Sequence, residues 1–200
     1  MSASWTEVAT AIGTLTLAVA AVYAAITWRR PMIEATKHET AAYVLEQARL
    51  FRYLFYDARS SQYTTGEFPP EYYTVSGQRT PTQEADGWAY LFANRWKLMS
   101  PQLLELIRSR ARAGALLSDE VADAITDLAR KGRELHGFML HRVEQIRSGD
   151  QAVAQSDQAW VRKVKESVEA DPDPAHRDDA YSREFEEKFN KLERIVRPFL

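Results

Sequence analysis

The 200-residue chain contains no cysteine and carries a formal net charge of -2. The lack of cysteine excludes a disulfide framework and a thiolate metal site, and it favours a cytosolic setting for the polar part of the chain. Binding to phosphates needs an excess of basic residues, which this chain lacks, so we expect no nucleic-acid partner.

An uncharged apolar segment covers residues 8–28. At about 1.5 Å per residue it would extend roughly 30 Å, the thickness of a bilayer's hydrocarbon core. Trp28 stands where aromatic rings prefer the headgroup region, and Arg29 and Arg30 follow it, which places the rest of the chain in the cytoplasm. We therefore predict a transmembrane anchor in residues 1–30, with the N-terminus outside the bacterial inner membrane.

A cleavable signal peptide is disfavoured because its positive residues would precede the apolar segment. The remaining alternative is the buried helix of a soluble protein. A peripheral helix of that kind would show a polar face, which this segment lacks.

One face of the apolar segment carries small residues. In lipid, such residues let two helix backbones approach closely, and threonine hydroxyls can bond across the contact. We predict a homo-oligomer or a membrane partner on this face; an alanine-rich composition without a partner is the alternative. The residues are Thr10, Gly13, Thr14, Ala21, Ala24 and Ala25.

Residues 31–200 are predicted to form a helical domain. Apolar residues recur every three or four positions and no strand alternation is found, so we expect an all-α fold with an irregular bundle of about five or six helices. Pro31 should kink or end the membrane helix, with a second helix from about Ile33 to Arg59.

Further helix boundaries follow from capping signals. Thr80 precedes a proline and a capping-box glutamine, which predicts a helix start. Ser100 and Pro101 repeat the signal and predict another helix start. Gly149 should end the longest helix.

The segment 60–80 breaks the helical period and is rich in tyrosine and proline. Since structureless loops of this length are uncommon inside compact domains, we expect it either to fold over its own helices or to bind a partner. Phe68, Tyr72 and Tyr73 are the candidate partner surface. A second irregular stretch, 170–179, is predicted to be a flexible joint.

Two apolar clusters are assigned to the core. The first contains Phe51, Tyr53, Phe55 and Tyr56, for which a ligand cage is the alternative. The second is the last helix, which must bury its regular apolar face on its own domain or on another copy of the chain.

No pattern predicts catalysis, a cofactor or a small-molecule substrate, and we expect no enzyme activity. A metal-dependent hydrolase using His136, His141 and Glu144 is the remote alternative, since it would need further converging ligands. The basic stretch from Arg95 to Arg112 is either a solvated helix face or a contact for anionic headgroups.

The chain resembles a broad, mostly uncharacterised group of bacterial single-span membrane proteins with a helical cytoplasmic domain. The resemblance lies in Thr27-Trp28-Arg29-Arg30, Tyr90-Leu91-Phe92 and Pro198-Phe199-Leu200. It implies an inner-membrane location and no activity or cofactor.

These observations predict a single-pass membrane protein whose helical domain is an interaction, scaffold or regulatory module, with stress response and phage defence as candidate settings. Membrane lipid and a protein partner, or a second copy of the chain, are the expected contacts. The alternative is an effector that perturbs the membrane by oligomerising through its transmembrane helix.

Overall fold

The computed structural model describes residues 4–74, 79–153, 158–170 and 179–200, and within these ranges the fold is all-helical without a strand. The all-α prediction is confirmed. The described ranges contain six α-helices: α1 (Trp5–Arg59), α2 (Pro70–Thr74), α3 (Pro81–Leu116), α4 (Asp119–Val153), α5 (Gln158–Val168) and α6 (Ala180–Val196).

The first helix has two differently packed halves. Each described side chain from Trp5 to Ala35 is exposed, whereas the first buried side chain is that of Thr40. Beyond it, Val44, Phe51 and Phe55 are buried completely in the core of the domain. The boundary predicted between residues 30 and 31 therefore lies inside a continuous helix, and the packed domain begins about ten residues later.

The predicted end of the membrane helix near Pro31 and the new helix start after it are wrong, because α1 passes through this proline as one helix. The predicted new helix at Pro101 is wrong for the same reason, since α3 continues through it. A proline inside a helix removes one hydrogen bond to the carbonyl four residues earlier. Thr27 and Lys97 hold these carbonyls and both residues are exposed, so solvent or headgroups can bond the carbonyl oxygens.

The domain is a bundle in which α1, α3, α4 and α6 surround one core. α3 packs against both α1 and α4. α6 runs antiparallel to α1, because Arg49 pairs with Glu193 while Arg52, further along α1, pairs with Glu186. The rings of Phe55 and Phe185 are stacked at 3.8 Å between centroids.

The last helix buries its apolar face on its own domain, which decides the alternative that the sequence left open. The buried side chains are Tyr181, Phe185, Phe189, Leu192 and Val196. In the aromatic cluster of α1, Phe51, Phe55 and Tyr56 are core residues as predicted, but Tyr53 is 69% exposed.

Two predicted boundaries are confirmed. Thr80 caps α3, since its side chain accepts a hydrogen bond from the Gln83 backbone and the Gln83 side chain bonds the Thr80 backbone in return. In α4 the helical dihedral angles are interrupted at Gly149, where φ is 72°, a conformation that glycine adopts without strain.

Candidate membrane anchor and partner surfaces

The exposed half of α1 is the first candidate site. Among the described residues, α1 is the one helix that is long and apolar enough to cross a membrane, and none of its most apolar stretch is buried. Trp28, Arg29 and Arg30 lie exposed at the end of that stretch, and Trp5 near the other end is 89% exposed. A long uncharged helix surrounded by water would leave its apolar surface hydrated, which is unfavourable.

The small residues of α1 lie on its uncovered surface. Thr10, Gly13, Thr14, Ala21, Ala24 and Ala25 are all exposed. The Thr14 hydroxyl donates to the Thr10 carbonyl oxygen at 2.9 Å, so this donor is already used within the helix. A Cβ atom added to Gly13 would meet nothing within 4 Å. The face is therefore open along its whole length.

This small face continues into the packed domain as one uncovered stripe of α1. Because α1 is continuous, steps of three or four residues keep to one side of the helix. The domain packs on the opposite side. The exposed stripe consists of Thr10, Thr14, Leu17, Ala21, Ala24, Trp28, Met32, Ala35, Glu39, Tyr43, Glu46, Leu50 and Tyr53.

The second candidate site is the strap, which we define as residues 60–74. The sequence predicted an irregular segment here, but the strap contains a 3₁₀ turn, Thr65–Glu67, and the short helix α2. Phe68 is 8% exposed and belongs to the core, so it is not accessible to a partner in this conformation. Tyr72 is half-buried and Tyr73 is 46% exposed. The accessible part of the predicted partner surface is therefore Tyr73 and the edge of Tyr72.

Arg95 of α3 holds the first half of the strap. Its guanidinium donates to the Gln62 carbonyl oxygen at 2.8 Å and to the Glu67 carboxylate at 2.8 and 3.2 Å. It also donates to the carbonyl oxygens of Ala58 and Ser60, at the end of α1. A cation at the C-terminal end of a helix is favourable because the last carbonyls have no partner within the helix.

The electrostatics of Glu67 follow from this contact. Burial acts to raise the pKa of its carboxyl, but hydrogen bonds from Arg95 and from the Thr64 backbone outweigh it and hold the pKa below its ordinary value. Glu67 is therefore a carboxylate at neutral pH and a strong acceptor for the guanidinium.

The second half of the strap packs on Gly87. The Tyr72 ring lies directly against Gly87, where an added Cβ would overlap two ring atoms. The ring is enclosed between Phe68, stacked at 4.3 Å, and the guanidinium carbon of Arg79 at 3.7 Å. The Tyr72 hydroxyl donates to Glu84 at 2.8 Å. Two effects raise the pKa of Tyr72 to about 12: the larger is burial, and the second is the nearby Glu84 carboxylate.

A cleft of about 280 Å³ opens beside the strap. It is lined by Pro69, Glu71, Tyr72, Arg79, Gln83, Asp86 and Gly87. Arg79 is engaged by the Tyr72 carbonyl oxygen, and Asp86 by Arg147. Of these two groups, Arg79 thus holds the strap, whereas Asp86 joins α3 to α4.

The two histidines of the metal-site alternative, His136 and His141, each pack against a tryptophan. His136 is stacked on Trp96 at 4.0 Å and burial lowers its pKa, while His141 lies edge-on to Trp160. Among the residues that the structure describes, no group of three potential ligands converges.

The predicted basic stretch is divided by the fold. Arg95 is 5% exposed and holds the strap, and Arg108 pairs with Glu105 in the preceding turn. Arg110 and Arg112 remain exposed. The stretch is therefore not one continuous charged face.

Sequence reasoning missed Arg59, the only arginine among the described residues with no exposed surface. Its guanidinium donates to the carbonyl oxygens of Ser167 and Glu166, at the end of α5, and to Asp179, the N-cap of α6. One signal was available, since Arg59 follows Phe55 by four residues and thus shares its core face.

The predicted joint 170–179 falls largely outside the described residues, which omit 171–178. Its described ends both contact Arg59: the Ala170 N–H donates to the Arg59 carbonyl oxygen at 2.8 Å, and Asp179 accepts from the guanidinium.

Comparisons with protein-family models, with curated proteins and with solved structures found no match. The resemblance to bacterial single-span proteins stays a prediction.

Proposed function

We propose that this chain is a membrane-anchored interaction module of the bacterial inner membrane, with α1 as its single span and the helical domain in the cytoplasm. The observation that carries the proposal is the contrast within α1: residues 8–28 carry no charge and each described side chain up to Ala35 is exposed, whereas the second half of the helix contributes to the domain core. A bilayer would cover this apolar surface, which the domain leaves uncovered.

The orientation rests on the residues that follow the span. Arg29 and Arg30 come directly after Trp28 and are exposed, as the positive-inside rule expects for a cytoplasmic flank. From Trp28 to Thr40 the helix rises roughly 18 Å. This distance lets the packed domain clear the headgroup layer, so that its surface is accessible to partners.

The role as an interaction module is supported by two accessible surfaces. One is the uncovered stripe of α1, which includes Tyr43, Leu50 and Tyr53 on the domain side. The other is the exposed ring of Tyr73 on the strap. Tyrosine supplies a large apolar area with a polar end at low entropic cost, which suits it to protein interfaces.

Arginine substitution in the span tests the anchor. Ala18→Arg together with Val19→Arg should move the protein out of the carbonate-resistant membrane fraction, because each charge near the bilayer centre costs about 3 kcal/mol. Met32→Arg is the matched control, since Met32 is exposed on the same helix but outside the span. The proposal fails if the double variant stays in membranes as the wild type does, or if the wild type is extracted by carbonate.

A second candidate function is an effector that perturbs the membrane after assembling through the small face of α1. The open surface at Gly13 favours it. Overproduction should then depolarise cells, and Gly13→Leu should relieve the effect by separating the helices, whereas Leu15→Ile on the opposite side should not. Overproduction without loss of membrane potential would exclude this function.

A further inference from the structure

The strap cannot be stable by itself. Its regular structure amounts to three residues of 3₁₀ helix and five residues of α-helix, far below the length at which an isolated helix persists in water. Among its described side chains only Phe68 is buried. Segments with few buried apolar contacts open at a lower free energy than the core to which they are attached.

The strap is held against α3 at two places. At one end, the buried guanidinium of Arg95 binds Glu67 and the Gln62 carbonyl oxygen. At the other end, the Tyr72 ring fits against the bare Cα of Gly87. The two fasteners lie on the same helix and are joined through the strap by Phe68, which stacks on Tyr72.

The docked strap covers an aromatic surface of α3. Phe68 and Tyr63 contact the edge of Trp88 at 5.9 and 5.0 Å between ring centroids, and Trp88 in turn contacts Phe92 at 5.5 Å. Undocking would therefore expose Trp88. It would also remove the ion pair of Arg95, the residue that caps the end of α1.

We propose that residues 60–74 are a two-state strap, fastened by Arg95–Glu67 at one end and Tyr72–Gly87 at the other, which docks and undocks as one cooperative unit. The docked state presents Tyr73 at the surface, and the undocked state uncovers Trp88. A ligand that prefers either state shifts the population accordingly. The strap is thus the regulated element of the interaction module, and only this role in partner binding rests on the proposed function.

Hydrogen exchange on the full-length protein in detergent or nanodiscs tests the proposal at two amides. The Glu67 N–H, in the part of the strap held by Arg95, donates to the Thr64 carbonyl oxygen at 3.0 Å, and the Tyr72 N–H, in the part that packs on Gly87, donates to that of Pro69 at 2.9 Å. Glu67→Gln weakens the first fastener and Gly87→Ala the second. Each variant should raise the exchange rate of both amides at least about tenfold, because a hydrogen bond to a charged group contributes about 1.5–3 kcal/mol. The exchange rates of the α6 amides should stay unchanged.

Matched control variants distinguish the cooperative opening of the strap from a general loss of stability of the domain. Glu193→Gln weakens an ion pair of α6 with Arg49, and Gly137→Ala adds a methyl group to open space; neither should affect the strap. Should Gly87→Ala misfold, Tyr72→Ala removes the same fastener from the strap side.

The proposal is overturned if each variant raises the exchange rate only of the amide nearest to the substituted contact. It is also overturned if the amides of the strap and of α6 exchange together. Membrane partition of the same variants should equal that of the wild type. A protein that leaves the membrane would refute the proposed function, whereas uncoupled amides would refute only the strap.

Discussion

The guanidinium of Arg59 and the carboxylate of Asp179 form an ion pair, with 2.9 Å between Nη2 and Oδ1. The arginine side chain is fully buried and the aspartate side chain is 22% exposed. Through this pair the last turn of α1 is joined to the first turn of α6, and the Ser182 hydroxyl accepts a further bond from Arg59 at 2.7 Å. The junction connects three helices at the far end of the domain from the predicted membrane.

Arg59→Met should lower the free energy of unfolding of the domain by about 3 kcal/mol or more, because Asp179 and the carbonyl oxygens of α5 lose their donor. Arg49→Met is the control, since Arg49 is 62% exposed in its pair with Glu193 and should cost less than about 1 kcal/mol. Urea denaturation of the full-length protein in detergent, followed by circular dichroism, measures both. Equal costs would contradict the structural importance of the buried junction.

The same junction predicts acid sensitivity. Burial acts to raise the pKa of the Asp179 carboxyl, but the charge of Arg59 and hydrogen bonds with Ser182 outweigh it and hold the pKa below its ordinary value. A lowered folded-state pKa contributes stability that is present above the ordinary aspartate pKa of about 4 and is lost as the pH falls through the lowered value. The unfolding free energy should therefore fall below about pH 4. Asp179→Asn should be less stable at pH 7 and should show a shallower acid loss; an unchanged slope would refute the assignment.

Two glycines of α4 should respond to alanine in opposite directions. A Cβ at Gly132 would lie 2.7 Å from Cζ of Phe51 in the core, so Gly132→Ala should destabilise the domain by about 1–3 kcal/mol. A Cβ at Gly137 meets nothing within 4 Å, and Gly137→Ala should stabilise by up to about 1 kcal/mol through helix propensity. Thermal unfolding of the two variants side by side checks the prediction. The packing of α4 on α1 would be wrong if Gly132→Ala were neutral.

The uncovered stripe of α1 predicts which residues face each other if two copies pair. Because the chain has no native cysteine, any disulfide that forms between two copies must involve the introduced cysteine. Ala21→Cys in the span and Tyr53→Cys in the domain lie on the stripe and should both form disulfide dimers in membranes upon oxidation. Val19→Cys, on the opposite side of the span, is the control. Dimers at Val19 but not at Ala21 would exclude pairing through this face, and monomers at all three positions would exclude a dimer.

The helical class, the cap at Thr80 and the core face of α6 were predictable because each depends on neighbours a few residues away in the chain. The continuity of α1 and α3 through Pro31 and Pro101 could not be predicted in this way. It depends on whether the carbonyl oxygen that each proline leaves without a donor is exposed. The contacts of Arg59 and Arg95 were also beyond local reasoning. They join residues 28 to 123 positions apart, and although its spacing from Phe55 places Arg59 on the core face, nothing in the local pattern identifies the distant partners of either arginine.

The candidate partner surface of Phe68, Tyr72 and Tyr73 is untested. Its location in the tyrosine-rich segment stays a prediction, but Phe68 proved to be a core residue, because the strap folds back onto Gly87 of α3. A glycine that receives an aromatic ring cannot be distinguished by sequence from any other helical glycine.

Labelling of single cysteines with a membrane-impermeant maleimide tests the membrane topology most directly. Ser4→Cys precedes the apolar stretch of α1 and Glu46→Cys follows it on the same exposed helix. We predict that, in cells with a permeabilised outer membrane, Ser4→Cys is labelled while the inner membrane is intact and Glu46→Cys only after it is disrupted. Equal labelling of both positions before disruption, or recovery of the protein in the soluble fraction, would contradict a membrane-spanning α1.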